Sequence, residues 1–190
     1  MKIIGITGGI ASGKNLISFY LKQLYYPIFD ADAFVHYLYQ HDTEVINKIS
    51  HIFPLSLHDN IINRKRLSDY LIEDQSNWCK LESIVHPLVV RKIYWFIKQY
   101  RRLHFRNIVL NIPLLFEIKA DKLCDRIVVV NSNSSVRTQR LAKRENYNHA
   151  LARVILSKQH NIVKGMNYKI IKTGIAKDQI RNSLYHAIMN

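Results

Sequence analysis

Lys14 closes a cluster of glycines. Gly5, Gly8, Gly9 and Gly13, four of the six glycines in the 190-residue chain, fall between positions 5 and 13. The run Gly8-Gly9-Ile10-Ala11-Ser12-Gly13-Lys14 contains Gly-x-x-x-x-Gly-Lys, the spacing of a phosphate-cradling P-loop. Several backbone N–H groups must turn inward around a phosphate, which leaves no room for Cβ atoms. Lys14 then supplies a point charge for β/γ-phosphates, and a helix starting near Gly13 aims its positive end at them. The next residue breaks the pattern. A P-loop normally ends in Ser or Thr, whose hydroxyl ligates Mg²⁺; here it is Asn15, one atom longer, with an amide oxygen able to meet a hard cation.

Other chemistry-bearing residues follow apolar runs. Asp30 and Asp32 come directly after Pro27–Phe29. In a phosphoryl-transfer site one carboxylate accepts or orients the acceptor's hydroxyl proton; the bland alternative is that one aspartate caps the next helix. Arg137, Arg140 and Arg144 share a helical face at i, i+3 and i+7, with Lys143 beside them. That spacing suits either a solvated basic face or a lid carrying guanidinium groups to phosphates, with Arg140 leading. Glu117 ends Asn111-Ile-Pro-Leu-Leu-Phe-Glu117, in which Pro113 takes the chain out of a strand. His86 precedes Pro87 and is expected to be extended, at the mouth of a helix starting at Pro87.

Positioning these groups needs a sheet. Strand-like runs at Ile3–Thr7, Pro27–Phe29, Ile108–Ile112, Ile127–Val130 and Tyr168–Ile171 alternate with helical patterns such as Leu16–Leu24 and Ser134–Arg144. Short buried strands between helices indicate an α/β fold with a five-stranded, mostly parallel sheet covered on both faces. Ligands in such folds bind beyond the carboxyl ends of the strands, where the loop, the aspartates and Glu117 all fall. Residues 33 to 102 show no convincing strand and read as helices, an insert suited to covering a substrate. The expected organisation is one domain over 1–190: a core of about 1–32 and 103–190, a substrate-covering helical insert of about 33–102, and a helical lid of about 134–165.

Composition narrows the class. Hydrophobic residues at 48% exclude a disordered chain. No apolar run reaches the roughly 20 residues that span a bilayer, and the amino terminus lacks a signal-peptide pattern, so a cytoplasmic protein without a membrane partner is expected. Cys79 and Cys124 lie far apart and read as reduced thiols, and the nine histidines form no zinc-like pairs. A formal net charge of +14 suits polyanionic ligands. Without a long basic run or an RNA-binding signature, nucleic acid is not the expected partner.

Taken in order, these fragments resemble the dephospho-coenzyme A kinase family. The resemblance rests on Thr7-Gly-Gly-Ile-Ala-Ser-Gly-Lys14, Asp30-Ala-Asp32, Asn63-Arg64 followed by Leu67, Leu81-Glu-Ser-Ile-Val-His-Pro87, Ile112-Pro-Leu-Leu-Phe-Glu117, Arg140 through Arg144, and Gln159. It implies transfer of the ATP γ-phosphoryl group to the ribose 3′-hydroxyl of dephospho-coenzyme A, with Mg²⁺. It also implies site roles: Asp32, Lys14 and Arg140 in catalysis; Gly8, Gly9, Ile10, Ala11, Ser12, Gly13, Lys14, Asn15, Leu16, Arg144 and Lys172 around ATP. Thr7, Asp30, Asp32, Arg64, His86, Pro113, Leu114 and Glu117 fall to the acceptor, and the metal to Asn15. The departures are Asn15, Met166-Asn167 for an Ala-Asp, Lys172 for an Asn near the adenine, Asn111 for an acid and Asn60 for a glycine. Two other functions compete: a different small-molecule P-loop kinase, and a degenerate protein that binds ligand without transfer.

Overall fold

Alternating residues of each core strand point to opposite faces of the sheet, and in this chain both sets are apolar. The computed structural model describes residues 1–143, Ala152 and 168–189. Its sheet strands are β1 (Lys2–Thr7), β2 (Ile28–Asp30), β5 (Asn107–Asn111), β6 (Arg126–Ser132) and β7 (Lys169–Thr173). They lie in the order β2-β5-β1-β6-β7, and every pairing is parallel. On one face Ile4, Ile6, Val128, Val130 and Ile171 pack with Ile17 and Leu21 of α1 (Lys14–Gln23). Ile180, Leu184 and Ile188 of α7 (Lys177–Met189) complete that core. Near-continuous apolar strands demand such covering. Order and connectivity place β1 at the centre, with the chain leaving toward β2 and β5 on one side and β6 and β7 on the other. The crevice beyond β1 and β6 is therefore the topological switch point, where open α/β sheets bind ligands.

The chain divides into two compact units: Met1–Asp30 with Trp95–Asn190, and Ala31–Tyr94. The second comprises α2 (Ala31–His41), α3 (Thr43–Ile52), a short hairpin, α4 (Arg64–Glu73) and most of α5 (Ser76–Arg102). Two expectations fail here. Residues 33 to 102 do contain strands: β3 (Leu57–His58) and β4 (Ile61–Ile62), paired antiparallel. Their turn, Asp59-Asn60, has φ of 48° and 60° at its two residues, as a tight hairpin turn requires. Asn tolerates that conformation better than most non-glycine residues, so Asn60 can serve where the resemblance implies a glycine.

The second failure concerns His86, which is helical, because α5 runs unbroken through Pro87. A proline inside a helix costs about 3 kcal/mol or more. Leu81, Val85, Val89 and Ile93, spaced four apart across Pro87, are all buried, and burying each such side chain contributes about 1.5–3 kcal/mol. The stripe outweighs the proline.

Cys79 is exposed, whereas Cys124 is mostly buried with its Sγ donating to Ala120 O at 3.3 Å. Burial, reinforced by Asp121 and Asp125, pushes the Cys124 thiol up to about 12. The thiolate is the reactive form, so the native protein is expected to yield one rapidly titrating thiol at pH 8 and two after denaturation. Two fast native thiols would show that this packing is wrong. The sign for stability follows: the folded state keeps the Cys124 proton while the unfolded chain loses it above about 9, so stability falls as pH rises from there toward 12.

Candidate functional site

The glycine loop joins β1 to α1 at the carboxyl edge of the central strand. Gly8 has φ of +148° and Gly13 a left-handed +100°. A Cβ on Gly13 would come 2.8 Å from Thr173 Oγ1 and 3.0 Å from Arg140 Nη1, so the loop needs glycine for space as well as for backbone conformation. Ala11 is also left-handed, at φ 58°, a conformation that costs an L-residue roughly 1–2 kcal/mol. Such strain is typical of loops that hold ligands. No described side chain caps α1, and its first turn carries no acid. A helix start with neither a side-chain cap nor an acid suits an anion.

Lys14 Nζ donates to Gly8 O at 2.6 Å and Gly9 O at 3.1 Å. It spans the loop it is expected to help charge. Asn15 is exposed on the first turn of α1, and Leu16 is half-buried behind it. From α6 (Ser134–Ala142), Arg137 Nε donates to Ile10 O at 3.2 Å. Arg140 Nη1 donates to Ala11 O at 3.0 Å and to Thr173 Oγ1 at 2.9 Å. The basic face is therefore engaged with the phosphate loop rather than merely solvated. Lys172, on β7, is exposed at the same edge of the sheet. Arg144, Gln159, Met166, Asn167 and most of the expected lid lie outside the described residues.

On the opposite side of β1, Thr7 is 4% exposed and its hydroxyl donates to Pro113 O at 2.9 Å. That bond ties the turn carrying Pro113, Leu114 and the exposed Glu117 to the end of β1. Asp30 ends β2 in register with Asn111, whose Nδ2 donates to Asp30 Oδ2 at 2.9 Å. Sequence reasoning noted Asn111 only as a departure, and it missed Thr173, because strand register is not visible in a single chain.

In the other unit, Asp32 is exposed in the first turn of α2, immediately after the carboxyl end of β2. Arg64 opens α4, whose cap is Asn63, with Oδ1 accepting from Lys65 N at 3.1 Å and Arg66 N at 3.2 Å. Burial pushes the Tyr39 phenol up to about 12 against the pull of the Arg64 guanidinium. His86 is half-buried on α5.

A parallel sheet with a lysine-bearing glycine loop at its switch point, and arginines brought to that loop from the helix after β6, defines a P-loop phosphotransferase. Within that class the family is specific. The model of the dephospho-CoA kinase family matches residues 2–182, and the chain belongs to that family. It is 38% identical to the dephospho-CoA kinase of Ehrlichia canis, with 76% of this chain and 72% of the relative covered. With that of Wolbachia pipientis wMel it shares 34% identity, covering 94% and 92%. The solved dephospho-CoA kinase of Campylobacter jejuni shares the fold, with a TM-score of 0.68 and 23% identity over 99% of this chain and 96% of that one. Among the described residues, no helix is long and apolar enough to cross a membrane.

Proposed function

We propose that this protein transfers the γ-phosphoryl group of ATP to the ribose 3′-hydroxyl of dephospho-coenzyme A. What carries the reading is the anion nest: uncapped α1, Lys14 and two arginines gathered on one glycine loop, in a chain of this family. The loop from Gly8 to Gly13, with Lys14, Asn15 and Leu16 at the start of α1, holds the phosphates. Lys14 and Arg140 offset charge on the moving group, joined by Arg144. Lys172 lies toward the base. The Asp32 carboxylate accepts the 3′-hydroxyl proton as that oxygen bonds to the γ-phosphorus and the bond to ADP breaks.

Asp30, Arg64, His86 and Glu117 serve the acceptor, Arg64 and His86 being the two that belong to the helical insert of about 33–102. Pro113 and Leu114 shape its edge, and Thr7 fixes that edge in place. Phosphorylation of dephospho-coenzyme A in a panel of candidate acceptors tests the reading. No coenzyme A, with another acceptor phosphorylated, would replace it by a different small-molecule kinase.

A magnesium ion fits the residues present. No group of three or more His, Cys, Asp or Glu placed to hold a metal occurs among the described residues. Mg²⁺ in such sites is held largely by phosphates and water, so one protein oxygen suffices, and the exposed Asn15 amide can provide it. Held there by Asn15, the ion would supply positive charge to offset that of the phosphates.

Asn15 also favours the second reading, binding without transfer, and one substitution separates them. Asn15→Thr is expected to lower the Mg²⁺ concentration needed for half-maximal rate by about 10-fold, the scale of a misplaced metal partner. Wild-type protein that is stabilised by ATP yet shows no turnover, with no rescue by Asn15→Thr, would favour the degenerate protein.

A further inference from the structure

Five consecutive carbonyls of the phosphate loop each accept a hydrogen bond from a side chain. Lys14 takes Gly8 O and Gly9 O, Arg137 takes Ile10 O, Arg140 takes Ala11 O, and Thr173 Oγ1 donates to Ser12 O. An anion nest works only when successive N–H groups converge, which requires the intervening carbonyls to be held elsewhere. These donors hold them. Four of the five bonds come from flexible cationic side chains. The fifth comes from a short side chain on the sheet: Thr173 ends β7, in register with Ser132 of β6, and is 3% exposed.

The same hydroxyl does a second job. Arg140 Nη1 donates to Thr173 Oγ1 at 2.9 Å. A guanidinium can only donate, and a threonine hydroxyl has a single proton, so that proton is directed to Ser12 O. Both hydrogens of Arg140 Nη1 are then taken, by Thr173 and by Ala11 O, which fixes the plane of the guanidinium. The close approach at Gly13 belongs to the same cluster, since Thr173 Oγ1 and Arg140 Nη1 are the polar atoms a Cβ there would strike.

We propose that Thr173 is a positioning residue for phosphoryl transfer: its hydroxyl sets the Ser12 end of the phosphate loop and the orientation of Arg140 together. The proposal rests on the reading of this loop as the ATP site.

Calorimetric titration of ATP, without acceptor, into wild type, Thr173→Val and Thr173→Ser tests it, alongside steady-state kinetics. Thr173→Val keeps the shape but leaves Ser12 O without its donor, and is expected to weaken ATP binding by about 10-fold. It should also lower kcat, while KM for dephospho-coenzyme A stays unchanged. Thr173→Ser should restore both properties, which a role in packing alone would not predict. Thr173→Ala carries the same expectation as Thr173→Val, should the valine variant fail to fold. In an Arg140→Met background the cost of Thr173→Val should shrink, because the shared hydroxyl then has one partner fewer.

Wild-type affinity and kcat in Thr173→Val, or equal weakening by Thr173→Ser, would overturn the role of Thr173 alone. No ATP binding by the wild type would sink the reading of the loop itself.

Discussion

Exchanging Asp32 for asparagine is expected to lower kcat by about 10²–10⁴-fold, the usual contribution of a positioned general base, with ATP affinity left close to wild type. The asparagine keeps the size of the side chain and the start of α2 but cannot accept the hydroxyl proton. Asp32 also lies in the first turn of that helix, where an acid contributes about 0.3–1 kcal/mol through the helix dipole. That smaller role predicts something different: a slightly lower melting temperature with undiminished turnover. Single-turnover rates with saturating ATP and dephospho-coenzyme A separate the two, since they read the transfer step. Equal rates in both proteins would remove Asp32 from catalysis and leave it a helix-terminal acid. Asp30 does not substitute for it in the proposed mechanism, because Asp30 Oδ2 accepts a hydrogen bond from Asn111.

How far the sequence alone reaches differs by element. The loop from Gly8 to Lys14 was legible because it needs special residue types at fixed spacing, and its strand and helix follow from plain apolar periodicity. The five sheet strands were found for the same reason, within a residue or two at their ends. Pro87 misled, because local backbone preference argued for a helix start while the apolar stripe continuing from Leu81 to Ile93 decided the outcome. The hairpin escaped because two-residue strands carry no periodicity; only the Asp59-Asn60 turn marked it. Thr173 and Asn111 were invisible as site residues for a third reason. Their importance comes from pairing between strands distant in sequence, Ser132 with Thr173 and Asp30 with Asn111, and a single chain does not encode that register in any local pattern.

Gly8→Ala is expected to be the most damaging single-methyl change in the phosphate loop. At φ +148° the backbone lies in a region open essentially to glycine, and holding alanine there costs about 1–3 kcal/mol. The added Cβ would also sit 2.2 Å from Val130 O and 3.0 Å from Ser12 Oγ. Val130 cannot retreat, because it belongs to β6 and is paired in register with Ile171 of β7. The loop must move instead, and overpacking of this kind costs a further 1–3 kcal/mol or so. Together these remove about 2–6 kcal/mol from a fold whose total stability is typically about 5–15 kcal/mol. At about 2–4 °C per kcal/mol for a chain of this size, the melting temperature should fall by roughly 5–20 °C. ATP should then no longer raise it, because the displaced loop cannot aim its N–H groups inward. Ala11→Gly, three residues along, should act in the opposite direction on stability, since it relieves the left-handed alanine. Thermal unfolding with and without ATP reads both changes. If Gly8→Ala melts like wild type and is still stabilised by ATP, the loop does not have the tight contact with β6 on which the nest depends.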